Sequence, residues 1–268
     1  MRSSMRTSGV KMSGMRTVSV LPVLAVLLLA CGGQDSVQGD RLLVLAASSL
    51  QFALPEIVQE FERRTDVGVD IVLGSSGNLV AQIENGAPGD LFLSADRAFV
   101  DRLESEGHVV PGTKRDYATG RIAIVVPPGR RLPEGLGDLA APEYAVVALA
   151  NPESAPYGLA AKQALESAGL WTVVAPKVVF SESVAQAAQF VRTENADAGI
   201  IALSVVLEND GWEHRLIDPA LHVPIIQAAA VIAGSAHVEA ATELRDLITS
   251  PDGVAILAQY GFGPAEEP

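Results

Sequence analysis

Short apolar runs alternate with amphipathic stretches along most of this chain. Residues 42–46 form one such run and predict a buried strand. Residues 67–73 alternate apolar with polar or glycine positions and predict a second. Further strands are predicted at 90–94, 122–126, 144–149, 178–180, 198–202 and 225–233. Helical spacing fills the gaps. One helix runs from about 50 to 64 and is interrupted by Pro55. Others are predicted at 78–85, with Gly86 as a stop, and from the cap Asp96 through Glu106. The rest fall at 157–168, 184–193, 238–249 and 254–260. Strands alternating with helices predict an α/β fold with mainly parallel sheets. No repeat of 20 to 50 residues is present.

Residues 18–30 are a different kind of apolar run. Arg2, Arg6, Lys11 and Arg16 precede it and are the only charged residues before position 35. A basic stretch and a short apolar run mark a secretory signal. The run is shorter than the roughly 20 residues that a membrane-spanning helix needs. It ends in Leu28-Leu29-Ala30-Cys31, with Gly32-Gly33-Gln34-Asp35-Ser36 behind it. This resembles the lipobox of bacterial lipoproteins, with cleavage before Cys31 and lipid on its sulfur. Residues 1–30 are thus expected to be a lipoprotein signal peptide and 31–40 a tether. Multiple acyl chains on Cys31 would give a stable membrane anchor, because one chain binds only marginally.

The 268 residues are 49% apolar and 19% charged, which supports a buried core and excludes global disorder. The net charge is −13. An acidic chain lacks the basic surface that nucleic acid requires, so nucleic acid is excluded as a partner. Its field also repels anions, so an anion site here must work by local dipoles. Cys31 is the only cysteine, which rules out an intrachain disulfide or a cysteine metal cluster.

Four predicted loops share one design, each leaving a strand or loop and meeting a helix start. They centre on Ser48-Ser49, Ser75-Ser76, Pro156-Tyr157 and Ser183-Val184. A helix N-terminus offers unpaired N–H groups and about half a positive charge. Several aimed at one point bind an anion without lysine or arginine, and serine hydroxyls add rotatable donors. Serine before a helix is also the ordinary N-cap. Residue type alone therefore leaves capping and ligand binding both open.

The segment Gly74-Ser75-Ser76-Gly77-Asn78-Leu79, followed by residues 82–96 (QIENGAPGDLFLSAD), resembles the signature of the substrate-binding proteins of molybdate ABC transporters. Ala46-Ala47-Ser48-Ser49-Leu50, Pro156-Tyr157-Gly158-Leu159-Ala160, Glu182-Ser183-Val184, residues 199–204 and Tyr260-Gly261-Phe262 fit in order. The resemblance covers nearly all of residues 41–263. It implies a type II periplasmic-binding-protein fold: two α/β lobes joined by two crossings, with a ligand cleft between them. Residues 41–120 and 225–268 would form lobe I and 121–224 lobe II. Ser49 and Ser76 would donate side-chain and backbone hydrogen bonds; Tyr157 and Val184 would donate backbone N–H groups. Some members place a tyrosine hydroxyl on the ligand where this chain has Ala202, with Ser48 and Ser204 as the nearby candidates to replace it.

The implied function is an extracytoplasmic, lipid-anchored monomer that captures molybdate or tungstate for an ABC transporter permease. It would be no enzyme and would use no cofactor and no metal site, molybdenum being held only as its oxyanion. Two alternatives remain: another oxyanion such as sulfate, or a sensory lipoprotein on the same fold. A serine hydrolase would need a Ser-His-acid set. The histidines, His108, His214, His222 and His237, accompany no Gly-x-Ser-x-Gly elbow. Tyr117, Tyr144, Tyr157 and Tyr260 are scattered, unlike the clustered tyrosines of an iron site.

Overall fold

The computed structural model describes residues 41–209 and 211–265. The predicted signal peptide, Cys31 and the tether lie outside the described residues. Two five-stranded sheets carry the fold. The first contains β1 (Arg41–Ala47), β2 (Gly68–Gly74), β3 (Leu91–Ser94) and β4 (Arg115–Gly120). The second contains β5 (Ile122–Val125), β6 (Val147–Ala150), β7 (Val178–Ser181), β8 (Ala198–Ala202) and β9 (His214–Leu216). The last strand, β10 (Ile225–Val231), returns to the first sheet. The orders are β2-β1-β3-β10-β4 and β7-β6-β8-β5-β9. The chain passes between sheets at Arg121, and again through residues 217–224.

The helices are α1 (Ala53–Thr65), α2 (Ser76–Glu84), α3 (Arg97–Ser105), α4 (Pro156–Ser167), α5 (Trp171–Val174), α6 (Val184–Arg192), α7 (Leu203–Val206), α8 (Val238–Thr249) and α9 (Pro251–Gln259). In α1, Leu54, Ile57, Val58 and Phe61 recur at helical spacing and are all buried, whereas Arg63 and Arg64 are exposed. Each such large apolar side chain contributes about 1.5–3 kcal/mol relative to exposure. Pro55 sits in the first turn, where its missing N–H breaks no helical bond. A separate 3-10 turn, Ser48–Leu50, precedes it.

Each sheet is mixed, whereas alternation predicts mainly parallel strands. β1 pairs in parallel with β2 and β3, but β10 is antiparallel to β3 and β4. In the second sheet β6 is parallel to β7 and β8, but β5 is antiparallel to β8 and β9. The antiparallel pairings all involve a strand next to a crossing, where the chain leaves or enters a sheet without a covering helix. Three starts also move. α2 begins at Ser76 rather than 78, and α9 at Pro251 rather than 254, with Ser250 accepting from the Gly253 N–H at 3.3 Å. The strand predicted from 144 begins at Val147, because Tyr144 closes a turn onto the Ala141 carbonyl.

Apolar side chains pack on both faces of the first sheet, around Leu42, Phe61 and Leu244 on one and Phe92, Leu79 and Leu103 on the other. The core of the second sheet reaches across to Ala47 and Ala95 of the first lobe. These two small residues let the lobes meet closely at the strand ends.

Candidate functional site

Strand register determines which loops meet. In the first lobe Ala47 is level with Gly74, and Ala46 with Leu93. β1, β2 and β3 therefore end on one line, and the segments Ser48-Ser49, Ser75-Ser76 and Ala95 leave it side by side. In the second lobe Ala150 is level with Ser181, so the starts of α4 and α6 are neighbours too. Ligands of open α/β sheets sit beyond such carboxyl ends.

The two rows of ends meet at one narrow pocket. Ser49, Ser76, Tyr157 and Val184, the four residues expected from the sequence, all line it. Ser48, Ser75, Gly74, Ala47, Ala95, Ala155 and Pro156 complete the lining. The lining contains no carboxylate, lysine, arginine or histidine. Ser204 is absent from it, because its hydroxyl donates to the Ser49 carbonyl at 2.8 Å, and Ala202 is absent as well.

The donors have distinct origins. Ser76 is the first residue of α2, and Val184 the first of α6. Pro156 occupies the first position of α4, so Tyr157 supplies the first N–H of that helix. None of these N–H groups has an intrahelical acceptor. The Ser76 hydroxyl accepts from the Ala95 N–H at 2.9 Å, which turns its own proton away from that partner and toward other acceptors. The Ser49 and Ser75 hydroxyl oxygens are buried without a hydrogen-bond partner among the described residues. Leaving a buried hydroxyl unsatisfied costs about 1–3 kcal/mol, so such a site favours a ligand rich in acceptor oxygens.

The Tyr157 ring points away from this chemistry and toward the crossings. Its hydroxyl accepts from Gln227 Nε2 at 2.6 Å, and Tyr117 donates to Gln227 Oε1 at 2.8 Å. Burial raises the Tyr157 phenol well above its ordinary value; Ser49 and Gln227 pull the other way. The Ser49 hydroxyl lies beside it without completing a hydrogen bond by its geometry. Tyr117 is raised as well, first by burial and then by Tyr157. A side chain at Gly120 would overlap the Tyr157 hydroxyl, so the network needs glycine where the chain crosses.

Two further contacts tie the lobes together at the cavity. Ser204 holds the Ser49 carbonyl, as above. The Gly77 N–H donates to the Ser154 carbonyl at 2.8 Å. A Cβ at Gly77 would lie 2.8 Å from that oxygen and 2.9 Å from the Ser154 Cα, too close for any side chain. The close approach at Gly77 is one that its residue type allowed for, whereas sequence reasoning missed Gln227 and the Tyr157 hydroxyl as parts of the site's frame. Each of these two acts through a residue in the opposite lobe, so no local pattern marks it.

The geometry has counterparts among known proteins. A family model described as bacterial extracellular solute-binding protein matches residues 42–263. The molybdate-binding protein ModA of Rhodobacter capsulatus is 33% identical over 221 residues, 82% of this chain and 87% of that one. ModA of Azotobacter vinelandii is 34% identical over 243 residues, 88% of this chain and 93% of that one. The solved periplasmic molybdate-binding protein of Azotobacter vinelandii matches with a TM-score of 0.78 at 30% identity, over 84% of this chain and 100% of its own. Both sheets, both crossings and the cavity between them fall inside the matched residues, and the chain belongs to the bacterial extracellular solute-binding protein family.

Proposed function

We propose that this protein captures molybdate or tungstate outside the cytoplasmic membrane and delivers it to the permease of an ABC importer. The observation that carries the reading is the lining itself: donors converge from both lobes and no charged side chain is among them. The likeness to molybdate-binding proteins over most of both chains supports the choice of anion. Ser49 and Ser76 would give hydroxyl and backbone donors, and Tyr157 and Val184 backbone donors. Residues 41–120 with 225–268 would move as one body and 121–224 as the other. The Gly77–Ser154 and Ser204–Ser49 bonds would close them over the ligand.

The backbone N–H groups of the site cannot accept, so they favour fully ionised anions. A protonated oxyanion would turn its hydroxyl toward an N–H, leaving two donors opposed at a cost of about 1–3 kcal/mol. This disfavours hydrogenphosphate. Sulfate satisfies the same donors, so it is the second reading, and cavity size would discriminate against it. The protein would act as a monomer, by binding alone and without catalysis, anchored through lipid on Cys31.

Thermal unfolding of the full-length chain in detergent, with each anion added, tests this. A ligand at about 100 times its dissociation constant stabilises by roughly 2.7 kcal/mol, enough to raise the midpoint visibly. A rise with molybdate and tungstate is expected. A rise with sulfate alone would transfer the function to sulfate, and no rise with any of them would remove the oxyanion reading. For the anchor, intact-mass measurement on membrane-extracted protein should show acylation that Cys31→Ser abolishes.

A further inference from the structure

Three residues in this fold occupy the N-cap position of a long helix and use their side chains as caps. Asp96 accepts from the Ala98 N–H at 2.8 Å, Ser183 from the Gln186 N–H at 3.3 Å, and Ser250 from the Gly253 N–H at 3.3 Å. Ser75 occupies the same position on α2, with ordinary extended backbone (φ −75, ψ 146), yet makes no cap bond. The Gly77 N–H, one of the donors a cap would take, is committed to Ser154 in the other lobe. Ser75 is only 5% exposed, and its hydroxyl oxygen is buried without a partner among the described residues.

Its place in the molecule accounts for this. Ser75 lines the small cavity and also the larger polar cleft outside it, where Asn78, Gln82, Gln186 and Gln189 lie. It stands at the junction between the two. We infer that Ser75 is a third serine hydroxyl that donates directly to the bound oxyanion, to an oxygen on the mouth side. A capping hydroxyl has one lone pair held by a helix N–H, which limits where its proton can swing, whereas this one can turn its proton to a ligand without that restraint. The assignment rests on the oxyanion reading above.

Titration calorimetry on the full-length chain in detergent, with molybdate, tungstate and sulfate as probes, separates the two claims. The wild type comes first: no binding of any of the three sinks the oxyanion reading, and this inference with it. If the wild type binds, Ser75→Ala is expected to weaken binding roughly ten- to hundredfold, the loss of one hydrogen bond to a charged group. The ligand-free unfolding midpoint should stay level or rise, since a buried unsatisfied hydroxyl is gone. Ser75→Gly, which an N-cap tolerates, should weaken binding alike and guards against a packing artefact of alanine. Ser250→Ala is the contrast: a lower ligand-free midpoint with unchanged affinity. Binding of Ser75→Ala and Ser75→Gly within twofold of wild type would overturn the inference. So would a fall of the Ser75→Ala ligand-free midpoint to match that of Ser250→Ala, because Ser75 would then be a structural cap.

Discussion

The first lobe meets the cavity with serine hydroxyls, and the second meets it with backbone alone. Ser49, Ser75 and Ser76 present side-chain oxygens, whereas Tyr157 points its hydroxyl at Gln227 and Val184 has none to offer. Residue identity therefore matters on one side of the ligand and backbone geometry on the other. A hydroxyl is lost by a change to alanine. A helix-end N–H survives any substitution except proline.

The largest expected effect tests the contact between the lobes. Gly77→Ala places a Cβ against the Ser154 backbone only when the lobes are together. It should weaken anion binding roughly ten- to hundredfold, the range of an overpacking penalty of about 1–3 kcal/mol, with the ligand-free midpoint almost unmoved. Calorimetry and thermal unfolding check the two halves.

The next effects set the lobes against each other. Ser49→Ala should cost about tenfold or more in affinity and nothing in ligand-free stability, since its hydroxyl has no partner to lose. Ser76→Ala should lower both, because it also leaves the Ala95 N–H unpaired. In the second lobe, Val184→Pro deletes the N–H, and exchanges the side chain, at a helix position that favours proline. It should match the affinity loss of Ser49→Ala. Val184→Ala keeps the N–H and should bind within about twofold of wild type, with a stability loss of about 1 kcal/mol from lost packing. Equal losses for both Val184 variants would mean that the side chain, and not the backbone, carries the contact.

A smaller effect concerns alkaline pH. Tyr117 and Tyr157 have folded values raised above the usual phenol value of about 10. Folding thus favours their protonated forms. Their contribution is complete below about pH 10 and is lost as pH climbs toward the folded values. Tyr157→Phe should flatten part of that alkaline decline in urea unfolding while lowering stability at neutral pH, because Gln227 Nε2 loses its acceptor.

The sequence made the buried strands legible, because β1, β3, β5, β8 and β10 are nearly unbroken apolar runs. It did not reveal β4, whose Arg115, Asp116 and Thr119 break the apolar pattern; pairing with β10 and the inward Tyr117 hold it in place. Nor did it reveal the three-residue β9, an edge strand formed only because β5 lies beside it. The early start of α9 was readable, since Ser250-Pro251 is a cap followed by proline at the first helical position. At the site, residue type named the serines but could not tell a cap from a free hydroxyl. Ser183 and Ser75 both stand just before a helix in the sequence, yet only Ser183 accepts a cap bond.

A cavity without charged side chains also affects how fast the protein works. An anion approaching a chain of net charge −13 moves against the field until it reaches the donors, whose reach is short. Added salt screens that field over a Debye length of about 10 Å at 0.1 M. Stopped-flow association should therefore quicken as an inert salt is added, while dissociation, governed by enclosed hydrogen bonds, keeps one rate. Anion sites built on lysine and arginine show the opposite trend. This protein should capture its ion fastest where ionic strength is high.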